Sequence, residues 1–277
     1  MAGKLEGKVA LISGAARGQG RSHAIALAGE GANIIAIDAC DQIETVPYAM
    51  PTVAELESTA EAVELAGGKI IYDVVDVRDL SGLRKFVDSA VLELGRLDIV
   101  CANAGISTFS SILDMDEQMW DTTIEINLTG VWKTCKAALP HIINGESGGS
   151  IIITSSSATS MISENIGHYI ASKHGLIGLS RTLAKELARH RIRVNTVHPT
   201  GVATPMILNE PVYQLFRPDL ENPNRNDFED AAKTLHPLGV PFVEPEDVSD
   251  MIVYLASNSS RYITGSSFML DAGGSLR

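Results

Sequence analysis

Cysteine is scarce in this chain. Cys40, Cys101 and Cys135 are the only three among 277 residues, and none stands in CxxC spacing. Three such thiols exclude a disulfide framework and offer no metal site, so a reduced, cytoplasmic setting is expected. Long apolar runs are also missing. None reaches the roughly 18 residues that signal a transmembrane helix. The opening MAGKLEGKVALISGAARG reads as a first strand, not a secretory signal, because Ser13 and Gly14 break its short apolar run. Positive charge is in deficit: 22 Lys and Arg stand against 34 Asp and Glu, a formal net charge of −12. No basic stripe for nucleic acid is present. The modest cluster ARHRIRV at 188–194 suits a helix C-terminus, where cations complement the dipole. No fixed-period repeat or low-complexity tract appears.

What the chain does have is 45% hydrophobic residues, enough for a sizeable core. Short apolar, β-branched runs recur at 8–13, 33–38, 69–75, 97–103, 150–156, 192–197 and 267–271. Such runs suit strands buried on both faces. Amphipathic stretches lie between them, several followed by Gly as a C-terminal cap would be, and a long one runs from His168 to about His190. The alternation predicts a single α/β domain over 1–277: a doubly wound, Rossmann-type, seven-stranded parallel sheet with helices on both faces.

Two segments break the rhythm. After the second strand, ACDQIETVPYAMP fills 39–51, longer than the ~2–6 residues a strand-to-helix turn needs. Thr52 followed by Glu55 then reads as a helix-opening capping box. Ile43, Val46, Tyr48 and Met50 offer apolar cover and Pro47 and Pro51 stiffness, so a cap over a bound cofactor is expected; a tolerated surface insertion is the blander reading. The second segment, 204–245, carries seven prolines and scattered aromatics. It reads as an irregular, apolar lid on the substrate side.

The first strand runs into SGAARGQG, with Gly14, Gly18 and Gly20 ahead of a helix. Small residues there let backbone amides approach a diphosphate, and the helix N-terminus adds partial positive charge. Asp38 ends the second strand, where an acid can accept from ribose hydroxyls and would repel a 2′-phosphate. Ala39 and Cys40 provide no cation for such a phosphate, so NAD is favoured over NADP.

Tyr169 and Lys173 are four residues apart, one turn along one helix face. Standing alone they read as a surface pair. If both face a pocket, the phenol can serve as a base, provided its pKa falls about 2–3 units from its usual value near 10. An ammonium and a positive nicotinamide ring are two sources of that shift. Ser156 follows a strand and sits 13 residues before Tyr169, where it can hold a substrate oxygen or simply cap a turn. Asn103 and Asn127 are polar residues that serve either a site or a satisfied structural role.

Together these residues resemble the short-chain dehydrogenase/reductase family over about Leu5 to Gly274. The motifs are GAARGQG, Asp76–Val77, the NAG of Asn103, Ala104 and Gly105, then Asn127, Ser156 and Tyr169-x3-Lys173. The resemblance implies roles for each. Tyr169 is the general acid/base, Lys173 lowers its pKa and binds the nicotinamide ribose, Ser156 orients the substrate oxygen, and Asn127 holds a water in the proton relay. Gly14, Arg17, Gly18, Gln19 and Gly20 hold the cofactor's diphosphate end, and Asp76 and Val77 sit by the adenine. Asn103 lies by the adenosine-side ribose, with Ala104 and Gly105 in the same cofactor motif. Val202 and Thr204 match positions that contact the nicotinamide carboxamide. The family usually has Pro-Gly after the sixth strand. Here HPTGVATPM has Thr200 in place of that Gly, which puts the local backbone path in doubt.

ARGQGRSH, the insert after Asp38 and HPTGVATPM narrow the likeness to the carveol-dehydrogenase-like, mycofactocin-coupled branch. That implies NAD held without exchange and reoxidised by a peptide-derived carrier. The expected activity is hydride transfer between NAD and a small, largely apolar secondary alcohol, carveol-like, or its ketone. A ketoreductase of acyl carriers, a hydroxysteroid dehydrogenase and a non-catalytic NAD-binding sensor are the alternatives. A homotetramer is expected, its helices between Asp116 and Ile143 and between His168 and His190 packing against symmetry mates.

Overall fold

The computed structural model describes residues 3–276. In chain order the strands are β1 (Val9–Ser13), β2 (Asn33–Asp38), β3 (Ile70–Val74), β4 (Ile99–Ala102), β5 (Gly149–Thr154), β6 (Ile192–Pro199) and β7 (Ser267–Leu270). They form one sheet in the order β3-β2-β1-β4-β5-β6-β7, and every pairing is parallel. The order reverses between β1 and β4. Crevices beyond the carboxyl ends of strands at such a reversal are where open α/β sheets bind ligands.

The continuous apolar runs divide by period two. Ala10, Ile12, Ile34 and Ala36 face one layer, packed on α1 (Gly18–Gly29), α2 (Val53–Leu65) and α9 (Pro245–Ala256). Val9, Leu11, Ile35 and Val100 face the other, against α3 (Leu80–Leu94), α5 (Val131–Asn144) and α6 (Gly167–Leu187). Full burial of one such aliphatic side chain contributes about 1.5–3 kcal/mol, so the two apolar faces commit the strands to the middle layer. The edges depart from the expectation of burial on both faces. β3 leaves Tyr72 and Val74 exposed, and β7 alternates exposed and half-buried residues, because each has a strand on one side only.

Local signals set the helix ends. Gly95 ends α3 in the left-handed region at φ 81°, where a side chain would be strained. Thr52 and Glu55 form the expected capping box ahead of α2. α6 is followed by a short 3₁₀ turn, 188–190, so Lys185, Arg189 and His190 gather at its C-terminal end as the basic cluster implied. α4 (Glu117–Ile124) joins α5 through a π-helical turn at Glu125–Gly130 that contains Asn127. Among the described residues no helix is long and apolar enough to cross a membrane.

The segment 204–245 is not the irregular lid expected. It carries two short helices, α7 (Glu210–Phe216) and α8 (Arg225–Lys233), around a small core of Val212, Phe228 and Ala232. The Phe228 ring stacks on Tyr213 at 5.4 Å and meets Phe216 edge-on at 4.9 Å. Both helices begin at asparagine caps, Asn209 and Asn224. The prolines mark helix starts and links: Pro211 lies in the first turn of α7, where its missing N–H costs nothing.

Candidate active site

A cleft of about 880 Å³, measured to its open mouth, lies beyond the carboxyl ends of β1, β2 and β4. Its wall includes Gly14, Arg17, Gly18, Gln19, Asp38, Asp76, Val77, Asn103, Ala104, Gly105 and Thr204 from the expected site. Glycine is required at the floor. A Cβ on Gly14 would come within 2.9 Å of the Ala104 backbone, and one on Gly20 would collide with the Gly14 carbonyl. Gly20 is therefore a packing glycine beneath the loop. Gly18 has φ 55° and would press a Cβ to 3.0 Å from the Thr204 methyl.

The residues fit a dinucleotide. The N-terminus of α1 has no side-chain cap, so its first amides are not engaged by Arg17. Gln19 Oε1 is buried without a hydrogen-bond partner. Asp38 is 8% exposed, accepts from the Ala16 N–H at 3.0 Å, and still lines the cleft. Burial raises its pKa while backbone N–H groups and Arg17 oppose the rise. A carboxylate has about four acceptor positions, so these bonds leave room for ribose hydroxyls. Asp76 is engaged by Arg78 at 2.6 Å, which helps hold its carboxyl below the usual range against the opposing effect of burial.

The amides Asn103 and Asn127 prove to be braces. Asn103 Nδ2 donates to the Ser13 carbonyl at 3.2 Å, and its Oδ1 accepts from the Thr154 hydroxyl, tying β1 to β5. Asn127 is fully buried; its Oδ1 accepts from the Ile106 N–H at 2.8 Å and its Nδ2 donates to the Ile106 carbonyl at 2.9 Å. The side chain therefore fixes the chain after the NAG motif.

Tyr169 and Lys173 do share a face of α6, with Nζ 5.6 Å from the phenol ring centroid. Lys173 is buried, and Nζ donates to the Thr154 carbonyl at 2.9 Å. A Cβ built on Gly105 would lie 3.3 Å from Asn127 Oδ1 and 3.5 Å from Lys173 Nζ, so both stand directly behind Gly105; Asn127, Ser156, Tyr169 and Lys173 are not themselves on the cleft wall. Ser156 opens a 3₁₀ turn, accepts from the Ala158 N–H at 3.1 Å, and acts on Tyr169 as a hydrogen-bonding neighbour.

The expected drop in the tyrosine pKa is not produced by these protein groups. Burial pushes Tyr169 upward, with Ser156 opposing the rise, and burial also lowers Lys173 to about 8. A low-dielectric site disfavours phenolate and ammonium alike. The lysine, turned to a backbone carbonyl, does not offset that cost alone.

Val202 is not on the cleft wall. Its side chain is 4% exposed in the core beside α9, and its backbone pairs with Val243. The bridge uses the Ala203 N–H and the Gly201 carbonyl, leaving the N–H and C=O of Val202 turned away from Val243. Thr200 needs no glycine backbone: it is absent from the left-handed region, its N–H donates to the Leu270 carbonyl, and its hydroxyl lies 2.7 Å from His236 Nε2.

Several wall residues were not anticipated, among them Ile106, Ile126 and Met206. Ser13 was also missed; its hydroxyl accepts from the N–H groups of Asn103 and Ala104 at 3.1 and 3.2 Å. The lone hydroxyl closing an apolar first strand was the available signal. The insert supplies Ile43, Tyr48, Met50 and Pro51 to the wall. It is fastened by the Arg17 guanidinium, which donates to the Ala49 carbonyl, and by the Tyr48 hydroxyl, which accepts from the Ser107 N–H at 3.2 Å.

The family model described as enoyl-(acyl carrier protein) reductase matches residues 14–275. The (−)-trans-carveol dehydrogenase of Rhodococcus erythropolis is 53% identical, covering 99% of each chain. The crystal structure of carveol dehydrogenase from Mycobacterium avium in complex with NAD superposes with a TM-score of 0.98 at 51% identity, covering 99% of this chain and 100% of that one. A short chain dehydrogenase from Mycobacterium paratuberculosis, bound to NAD, gives a TM-score of 0.91 at 42% identity, covering 99% and 100%. On this likeness, which spans the sheet, the glycine floor and the Tyr169–Lys173 helix, the chain belongs to the short-chain dehydrogenase/reductase family.

Proposed function

We propose that this chain is an NAD-dependent alcohol dehydrogenase that interconverts a small, largely apolar secondary alcohol, carveol-like, and its ketone. The observation that carries the reading is convergence: Asn127 and Lys173 meet behind Gly105, which lines the glycine-floored cleft, and Tyr169 lies one helical turn from Lys173. The NAD-bound relatives support the cofactor, and the carveol dehydrogenases support the substrate class.

NAD, when bound, accepts hydride from the alcohol carbon and adds positive charge beside the phenol. Ser156 holds the substrate oxygen, and Tyr169 takes its hydroxyl proton. Lys173 stabilises the phenolate once Nζ turns from the Thr154 carbonyl. Gly14, Gly18 and the uncapped α1 N-terminus would hold the diphosphate, and Asp38 the adenosine ribose. A second cleft lies between the insert and α7; Pro47, Phe109, Met119, Pro211, Leu215 and Pro218 give it an apolar side that suits a largely apolar substrate, and Thr45, Glu164, Asn165 and Gln214 a polar one. The Tyr169→Phe variant should retain bound NAD while kcat falls by about 10²–10⁴. Unchanged kcat would refute the mechanism.

The insert at 39–51 serves in this reading as a cap over bound NAD, supported by the Arg17 latch and by Ile43, Tyr48 and Met50 on the wall. Slow release fits reoxidation in place by a mycofactocin-type redox carrier. Shortening 40–50 should speed NAD exchange during dialysis; an unaltered exchange rate rules the cap out. Half-exposed Trp120 and Trp132, on α4 and α5, support the homotetramer. Reduction of the ketone of a carrier-bound acyl chain is the second reading, favoured by the 34% identity to a 3-oxoacyl-(acyl carrier protein) reductase of Thermotoga maritima.

A further inference from the structure

β5 and β6 pair up to the bond from the Ser155 N–H to the Val197 carbonyl, 2.8 Å long. Pro199 has no N–H, so the next ladder bond, to the Ser155 carbonyl, is missing and the pairing ends there. The next residue on the β5 side is Ser156, and a side chain holds its carbonyl. Nδ1 of His198 lies 3.0 Å from Ser156 O. A carbonyl only accepts, so Nδ1 carries the proton. Nε2 lies 2.7 Å from the Thr196 hydroxyl, which in turn lies 3.0 Å from the Ser267 hydroxyl. The Thr159 hydroxyl, 3.0 Å from Nδ1, donates to the same Ser156 carbonyl at 2.8 Å, and the Thr159 N–H donates to it at 3.2 Å. His198 is 1% exposed, and burial holds its pKa low, which keeps the ring in its one-donor, one-acceptor form.

We propose that His198 is a positioning residue for the reaction: by gripping the Ser156 carbonyl from the neighbouring strand, it fixes that peptide and so aims the Ser156 hydroxyl at the substrate oxygen beside Tyr169. The proposal rests on the reading of Ser156 as the substrate-orienting hydroxyl. The physical need is clear from the chain geometry. Ser156 stands between the end of a strand and a 3₁₀ turn, in an extended conformation with φ −162°. The other donors to its carbonyl, the N–H and hydroxyl of Thr159, sit on the same short turn and move with it. A rotation of that peptide would swing the hydroxyl, and a displacement of ~1 Å from productive geometry costs about 10²-fold in rate.

The test is a set of steady-state measurements on purified enzyme with bound NAD. His198→Leu removes both ring nitrogens. His198→Asn keeps an N–H near the Nδ1 position, while His198→Gln moves it out to the Nε2 position and replaces the Leu variant if that fails to fold. The Leu or Gln variant should lose about 10–100-fold in kcat with little change in KM or in retained NAD. The Asn variant should recover most of that loss. In a Ser156→Ala background the His198 substitution should cost nothing further, because the two act through one group. Native kcat in the Leu or Gln variant, no rescue by Asn, or fully additive losses would each overturn the proposal. Native kcat in Ser156→Ala alone would instead overturn the reading of the site on which it rests.

Discussion

Residues 39–51 have no helix or strand, whereas 204–245 carry α7 and α8, yet the irregular segment is the more deeply built into the body. Val46 and Tyr48 of the insert are buried in one cluster with Ile37, Val75, Val77, Ile106 and Ile126, which are strand ends and cleft walls. Gln42 staples the loop from within: Nε2 donates to the carbonyls of Ile43, Val46 and Tyr48, and Oε1 accepts from the Met50 N–H. The later segment has a core of its own, and its apolar contacts with the body pass through few residues, Phe109 among them. Regular secondary structure and attachment are thus separate properties. A segment with a private core can open by itself; one that shares its core opens only with what it shares.

That contrast can be broken at either end. Phe228→Ala should have the largest effect, removing about 3–5 kcal/mol from the private core. The loss should stay local. Amides of α7 and α8 should exchange faster with deuterium while those of the central strands keep their protection, and KM for the alcohol should rise. Equal loss of protection in the sheet and in α7 and α8 would show that the two are one cooperative unit. Tyr48→Phe should be smaller, about 0.5–1.5 kcal/mol for the lost bond to the Ser107 N–H. Because the insert shares its core, this loss should appear in the global thermal midpoint, lowered by about 2 °C. A midpoint equal to the parent's, with faster exchange confined to 40–50, would place the insert with the separable segments.

Much of this was legible in the chain. Alternating apolar runs and glycine caps are local signals, and they specified the seven strands and their enclosing helices. The glycine loop, Asp38, and the Tyr169–Lys173 spacing could be read because backbone approach and helical pitch dictate them directly. The remainder depends on what folding brings together. α7 and α8 were hidden because they are short, and their flanking prolines looked like breaks when they were boundaries. The direction of the Tyr169 pKa was missed because burial is a property of the fold and not of a tyrosine four residues from a lysine. His198 looked like one residue of a strand; its meaning depends on β5 ending beside it.

The link between Thr200 and His236 bears on how this molecule varies. Thr200 closes β6, and His236, just beyond α8, lies in bonding range of its hydroxyl while the other ring nitrogen lies 2.7 Å from the Val240 carbonyl. The two ends of 201–235 are therefore fastened together before the segment reaches the cleft. For a loop closed at its base, added length costs little, since closure entropy grows only with the logarithm of length. Such a segment behaves in evolution as a cassette. Beyond Met206, the last of its residues on the cofactor cleft, the interior can be lengthened, shortened or exchanged for a relative's while the frame that holds the cofactor stays in register. Selection can then change the alcohol without disturbing the hydride chemistry.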